Sequence, residues 1–391
     1  AFAGSLRRRK YEVGDVDILA TAVDRDRAMG FFTSLGRVEE VLSRGETKSS
    51  VRIEGGLRVD LRIVGEESFG AALQYFTGSQ EHNVRLRQLA ISNGFKLNEY
   101  GLYEAESDKK VAGEVEDEIY SALNLAWIPP ELREDRGEID AAGSDDLPKL
   151  IELGDVKGDL HCHSERSSDG HIPLKALVRE AKDRKYSYLA VTDHADTPGI
   201  VGGLTDQAVS DHIEEIKSAN REVGGLELLA GVEANIQPDG TLDLSDASLE
   251  KLDLVIGGIH SHFDQSKVEL TKRTVRAIEN PHLDIIAHPT GRKLGERGSF
   301  DLDWDQIFDR ARDAETALEI NASPSRTDLE DKLVKRAIEA GVKLTIGTDS
   351  HRVNHLDYME LGLYLARRGW CEGKDVLNTL SLSDLKSWLA G

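Results

Sequence analysis

From residue 156 to the end of this 391-residue chain, short apolar runs alternate with longer stretches of helical spacing. The spacing predicts strands over 158–161, 188–192, 227–232, 254–259, 283–287, 317–320 and 343–348. Between and after them it predicts helices over 174–183, 206–223, 270–278, 304–314, 329–340 and 358–368. Strands that alternate with helices imply parallel pairing with crossover helices. Seven such strands suit a (β/α) barrel, whose chemistry sits at the C-terminal strand ends.

The predicted strand ends carry imidazole and carboxylate. The first ends in His161-Cys162-His163, with Asp169 close behind. The second ends in Asp193-His194, the third in Glu233, the fourth in His260-Ser261-His262, the fifth in His288 and the last in Asp349-Ser350-His351. Residues i and i+2 of a strand share a face, so His161 and His163 can grip one ion, and Asp349 and His351 point into the same mouth. A lone histidine at a strand end is more often a hydrogen-bonded core or loop residue than a ligand. Here seven of the 12 histidines fall in these motifs, which chance does not explain. Imidazole with carboxylate suits Zn, Mn or Fe better than Ca. Clustered ions clamp phosphoryl oxygens and acidify a bridging water, so the expected chemistry is phosphate-ester hydrolysis. Cys162 is expected on the opposite face. His171, His212, His282 and His355 are read as surface or supporting residues, His262 as a weak ligand candidate, and Asp193 as orienting its neighbour. Arg292 and Arg326 are candidates for holding a substrate phosphate, with solvated loop arginines as the bland alternative.

In this combination, residues 156–391 resemble a PHP domain, of the polymerase-and-histidinol-phosphatase superfamily. The resemblance implies a distorted (β/α)7 barrel with three metal ions, Mn²⁺ or Zn²⁺. It implies one ion on His161, His163, Glu233 and Asp349; a second on Glu233, His260 and His288; and a third on Asp169, His194 and His351. No ligand of the pattern is missing, so activity is expected.

Upstream, the pattern predicts an α+β module: a strand within 13–22, a helix over 25–42, a hairpin of 50–54 and 57–64 turning at Gly55-Gly56, and helices over 69–75 and 83–92. Asp15 and Asp17 share a strand face, and Asp60 lies on another strand. Carboxylates so placed are how a two-metal phosphoryl-transfer site is built, although a lone D-x-D is also common as solvated edge carboxylates. Gly4-Ser5-Leu6-Arg7-Arg8 offers a tight turn, a hydroxyl and guanidinium groups for phosphate. Residues 1–130 resemble the palm and thumb of a family X DNA polymerase, of nucleotidyltransferase type. The resemblance implies that Asp15, Asp17 and Asp60 are catalytic and hold two Mg²⁺ or Mn²⁺ ions. It implies that Gly4, Ser5 and Arg8 meet the incoming triphosphate, that Tyr75, Phe76 and Gly78 meet its sugar, and that Asn83 and Arg87 meet the nascent pair and template. Residues 127–132 resemble the tail of the thumb. The lyase-like and fingers regions of that family are not represented, and the chain opens at Ala1 without Met. The expectation is a piece of a longer protein, or a chain whose partner supplies those regions, with weak primer extension on its own.

The acidic, Gly/Asp/Ser-rich stretch 131–155 is predicted to be a flexible linker. The net charge of −22 is unusual for a DNA-binding protein. Its acids fall in surface-like runs, which we read as adaptation to a salty solvent, with exclusion of polyanionic partners as the competing reading. Two cysteines imply no disulfide framework and fit a reducing cytoplasm. No apolar run approaches the roughly 18–20 residues that span a membrane. Together the two resemblances imply a function in DNA repair. The PHP barrel would cut phosphate esters at gapped or free DNA 3′ ends (3′-5′ exonuclease, 3′-phosphatase, abasic-site cleavage), and the palm would add dNTPs. A stand-alone phosphatase for a small ester such as histidinol phosphate, and a non-catalytic palm that only binds nucleotide or DNA, are the alternatives.

Overall fold

The computed structural model describes residues 1–196 and 203–391, and the chain divides into two units, Ala1–Pro148 and Lys149–Gly391.

In the first unit the strands form one four-stranded sheet and one three-stranded sheet. The four are β1 (Asp15–Ala20), β2 (Val38–Arg44), β3 (Lys48–Ile53) and β4 (Arg58–Ile63), in the order β1-β4-β3-β2. The Gly55-Gly56 hairpin joins β3 to β4, both glycines having positive φ. β1 pairs parallel with β4, in a register that sets Asp17 opposite Asp60. Met29, Phe32, Val51, Val59, Leu61 and Ile63 form the core beneath it. Helices Phe69–Thr77 and Gln80–Ser92 follow, then β5 (Phe95–Asn98), β6 (Gly101–Glu104) and β7 (Lys110–Ala112).

Two expectations for this unit are corrected. The helix predicted over 25–42 ends at Thr33, and the chain reappears as edge strand β2. Ser34 and Gly36 weaken helix propagation, and Val38–Arg44 gains ladder partners on β3. The stretch predicted as a linker is largely built in. Residues Glu138–Ser144 are helical, and Glu138 is buried with a carboxylate oxygen 2.7 Å from His82 Nδ1. Arg133 is fully buried, donating to Glu116 Oε1 at 2.6 Å and to the Ile128 carbonyl. These acids read as solvated because their partners lie 17 and 56 residues away in the chain.

The second unit is a run of seven parallel strands. They are β8 (Gly158–Cys162), β9 (Tyr188–His194), β10 (Glu227–Asn235), β11 (Leu254–Gly258), β12 (Ile285–Ile286), β13 (Ala317–Asn321) and β14 (Leu344–Gly347). They neighbour one another in sequence order, and nearly every strand residue is buried, as helix-covered parallel strands require. The first and last strands meet at the mouth: Asp349 N donates to His161 O at 3.0 Å and His163 N to Ser350 O at 2.9 Å. The result is a distorted (β/α)7 barrel. At the other end Leu377 and Leu385 close the interior core with Tyr188, Leu254 and Ala317, which begin their strands. The Tyr188 hydroxyl donates to carbonyls of Leu377 and Leu380. With the N-terminal ends plugged, chemistry is left to the C-terminal ends.

Candidate metal centre and palm site

Glu233, 1% exposed near the end of β10, is the hub of the barrel mouth. One of its oxygens lies 3.3 Å from His161 Nε2, 3.5 Å from His163 Nε2 and 3.0 Å from His194 Nδ1. The other lies 3.1 Å from His260 Nε2 and 2.9 Å from His288 Nε2. Asp349 Oδ1 faces His163 Nε2 at 3.3 Å and His161 Nε2 at 3.7 Å. On the outer side Asp169 Oδ2 is 3.2 Å from His351 Nε2 and 3.8 Å from His194 Nε2. All nine residues of the expected ligand set therefore converge. Three groups bring their ligand atoms within 4.8 Å: His161-His163-Glu233-Asp349, His194-Glu233-His260 and His163-His194-His351. The groups overlap, so His163 and His194 each stand between two expected ions.

The hydrogen bonds behind the rings show that these groups fit cations. His161 Nδ1 meets Glu319 Oε1 at 2.6 Å, His260 Nδ1 meets Asn235 Oδ1 at 2.6 Å and His351 Nδ1 meets the Asp349 carbonyl at 2.8 Å. His163 Nδ1 meets Ser167 Oγ at 3.1 Å, and Ser167 gives its own proton to Asp193 at 3.0 Å, so it accepts from His163. Each of these rings thus carries its proton on Nδ1 and turns an Nε2 lone pair inward. His288 Nε2 lies 3.3 Å from His260 Nε2 and can give a proton to Glu233 Oε1 at 2.9 Å. His161 and His163 Nε2 face each other at 3.1 Å, lone pair to lone pair. Facing lone pairs repel unless a cation or proton lies between them. His194 Nδ1 is buried beside Glu233, yet is misaligned for a hydrogen bond to it. Burial opposes ionisation of Glu233, but His194, His161 and His260 hold its carboxyl well below the usual range. Asp349 is likewise held down against burial by His161, His163 and Arg326.

Sequence reading missed Glu319, Asn235 and Ser167. The signal for Glu319 was available: β13 is the one strand to which no mouth residue had been assigned, and Glu319 and Asn321 share its inner face. Asn321 Nδ2 donates to Glu319 Oε2 at 3.0 Å and to Asp349 Oδ2 at 3.2 Å. His262 is exposed and stands outside the cluster; His212 is buried against the Gly231 carbonyl. Cys162 is buried beside Thr348. The two arginines separate. Arg292 is a brace, buried and bonded to Thr327, to the Arg326 carbonyl at 3.0 Å and to Glu330 at 2.8 Å, which corrects its reading as a phosphate ligand. Arg326 instead reaches the mouth, with Nε 3.4 Å from Asp349 Oδ2.

In the first unit Asp15 and Asp17 leave one face of β1, and Asp60 sits beside them on β4. Among the described residues their ligand atoms are not gathered as tightly as those of the barrel. Asp60 is held by Lys48 Nζ at 2.6 Å and Arg58 Nε at 2.8 Å, which offset burial and keep its carboxyl at about 2. Burial, then Asp15 and Asp60, push the Asp17 carboxyl up. Gly4, at φ +61° and the start of a short helix (Gly4–Arg7), lies where a β-carbon would strike the Asp17 carboxylate, so this helix start packs directly against the aspartate. Arg8 departs from expectation: it is buried, donating to the Thr77 carbonyl at 2.5 Å and to Glu134 at 3.0 Å, so its guanidinium is already engaged. Gly78 packs beside it. Tyr75 and Phe76 meet edge to face, and Arg62 covers Phe76 at 4.3 Å. The Asn83 side chain bonds the Tyr75 carbonyl at 2.7 Å and Gln74 at 2.8 Å, while Arg87 is exposed.

Fold and site together define a polymerase palm and thumb followed by a PHP-type metal barrel. Residues 72–134 match the DNA polymerase beta thumb family and residues 159–323 the PHP domain family. The chain is 41% identical over 389 residues to the DNA polymerase/3′-5′ exonuclease PolX of Bacillus subtilis (strain 168), covering 99% of this chain and 68% of that one. It belongs to the PolX family of DNA polymerase/3′-5′ exonucleases. A probable phosphatase of Thermoanaerobacter sp. (strain X514) is 30% identical over 241 residues, 59% of this chain and 93% of its own. A ternary primer–template complex of Leishmania infantum polymerase beta aligns with TM-score 0.30 at 27% identity, over 34% of this chain and 66% of that one, a likeness too weak to support inference. Among the described residues no helix is long and apolar enough to cross a membrane.

Proposed function

We propose that the barrel hydrolyses phosphate esters at gapped or free DNA 3′ ends, as a 3′-5′ exonuclease and 3′-phosphatase, and that the palm adds dNTPs in gap-filling synthesis. The observation that carries this reading is the Glu233 carboxylate, which offers one oxygen to His161, His163 and His194 and the other to His260 and His288. The name of the Bacillus relative pairs the same two activities, and the name of the Thermoanaerobacter relative supports phosphate-ester chemistry for the barrel alone.

The donor set suits three Mn²⁺ or Zn²⁺ ions. We assign one to His161, His163, Glu233 and Asp349, one to Glu233, His260 and His288, and one to Asp169, His194 and His351. Ions bound there would acidify a water and screen the phosphoryl oxygens. The chain's own residues do the rest. Glu319, Asn235 and the Asp349 carbonyl hold the rings in the tautomer that offers Nε2 inward. Arg326 would pair with a non-bridging phosphate oxygen, and the same mouth would take abasic-site ends. In the palm we assign Asp15, Asp17 and Asp60 to two Mg²⁺ or Mn²⁺ ions, with Gly4 and Ser5 beneath the triphosphate, Tyr75, Phe76 and Gly78 at its sugar, and Asn83 and Arg87 toward DNA. Asp60 would exchange its hold on Lys48 and Arg58 for an ion. We place the protein in the cytoplasm.

The test is elemental analysis of protein purified without chelator, paired with release of 3′ nucleotides from gapped DNA in Mn²⁺. Metal near zero with no uptake, or hydrolysis of small esters with no action on DNA ends, would count against this reading.

A further inference from the structure

The loops that follow two of the ligands carry an aromatic pair that the metal chemistry does not use. Phe263 lies three residues beyond His260 and is 37% exposed. Its ring stacks on Phe300, with centroids 6.1 Å apart and planes 21° apart. Phe300 in turn packs against Gly291, at φ +61°, where a β-carbon would fall into its ring. The Gly291 N–H closes a turn onto the His288 carbonyl at 2.8 Å. The pair thus belongs to the His260/His288 side of the cluster.

A single exposed phenylalanine is ordinary on a protein surface. Two further observations set this one apart. Its loop is braced from below: buried Arg273 donates to the Ser261 carbonyl at 3.0 Å, to Gln265 Oε1 at 2.9 Å and to the Ile236 carbonyl. And the Arg297 guanidinium lies 3.6 Å from the Phe263 ring centre, anchored through Nε to the Gly291 carbonyl at 2.9 Å. Arg297 forms no ion pair with any described residue. A cation on an aromatic ring, without a counter-ion, beside a phosphate-ester site is suited to a nucleotide: a planar base for the ring and a phosphodiester for the guanidinium.

We propose that Phe263, backed by Phe300, is a stacking shelf for the base of the 3′-terminal nucleotide, the base taking the ring face that Arg297 covers in this structure and the guanidinium turning from the ring to a phosphate of the same strand. This rests on the DNA 3′-end reading above. It makes base identity and planarity matter to a site whose metal chemistry needs only a phosphate.

The test compares two single-stranded oligonucleotides in Mn²⁺, one with a 3′-terminal thymidine and one whose terminal sugar is a tetrahydrofuran without a base. Phe263→Ala is expected to lose about tenfold or more in kcat/KM on the first and to stay within about twofold on the second. Phe263→Trp is expected to retain the preference, and Phe263→Leu, apolar but not planar, to lose it. Arg297→Gln is expected to lower both rates and flatten their salt dependence. Equal losses on the two substrates, or no loss on the first with the wild type active, would overturn the shelf and leave the DNA reading standing. A wild type that cuts neither oligonucleotide yet releases phosphate from a small ester would overturn both.

Discussion

Glu319 Oε1 lies 2.6 Å from His161 Nδ1, and Glu319 Oε2 takes the backbone N–H of His288 at 2.7 Å. One buried carboxylate therefore orients ligands that we assign to two different ions. Asn321, on the same strand face, links it to Asp349.

Glu319→Gln should weaken metal binding and 3′-end hydrolysis together, by about 10- to 100-fold. The amide keeps the shape but can no longer both accept from His161 and supply negative charge behind the ring. Metal titration and initial rates, with a thermal melt to confirm folding, measure it. Unaltered affinity would reduce Glu319 to a packing residue.

The two sites should fail separately. His163→Ala removes a ring that lies 3.5 Å from Glu233 and 3.3 Å from Asp349. Hydrolysis of 3′ ends should drop by orders of magnitude while dNTP binding survives. Asp60→Ala should do the reverse, since its carboxylate is on β4 of the other unit. Loss of nuclease activity in a folded Asp60→Ala protein would move the hydrolytic centre to the palm.

Chelation should destabilise the barrel. Ions that bind the folded mouth and not the unfolded chain stabilise by about 2.7 kcal/mol at a hundredfold excess over Kd. Calorimetry should show the melting temperature falling by about 5 °C or more in EDTA and recovering with Mn²⁺. The shift should be smaller in His163→Ala. A melt indifferent to chelator would mean that protons, not metal, separate the facing His161 and His163 nitrogens.

Asp284 gives a pH signature away from both sites. Burial pushes its carboxyl up to about 7, although it accepts a hydrogen bond from Val255 N at 2.7 Å. A carboxyl whose folded pKa exceeds its unfolded value, about 3.9, stabilises the fold fully below that value. It loses the contribution as pH rises through about 7. Asp284→Asn keeps the acceptor and removes the titration. The variant should therefore melt above the wild type at pH 8, with the difference shrinking toward pH 4. A difference of the same size at both pH values would point to packing instead.

Much of this protein is written locally. The barrel strands announce themselves by short apolar runs between helical stretches, and each strand-end motif lies within a few residues of its strand. Period-2 alternation then sends His161 with His163 to one face, and parallel pairing sends all the strand ends to one mouth. Chain order thus brings these strand-end residues to one side of the barrel, while the division into ligands and bystanders came from the resemblance to the PHP domain. The β3–β4 hairpin is equally plain from Gly55-Gly56, whereas the parallel pairing of β1 with β4 that sets Asp17 opposite Asp60 is a tertiary contact.

What the tertiary structure decided are pairings between residues far apart in the chain. Glu319 meets His161 across 158 residues, and Glu138 meets His82 across 56. No periodicity encodes such a meeting, so one acid passed unnoticed and the other was read as part of a linker. Arg292 and Arg326 looked alike in sequence, and only the fold spends one on Glu330 and Thr327 and turns the other toward Asp349. Arg8 likewise was read from its motif, while Thr77 and Glu134 had claimed it. A side chain's type states what it can bond. Which of its bonds are already taken depends on burial and on neighbours that arrive only when the chain has folded.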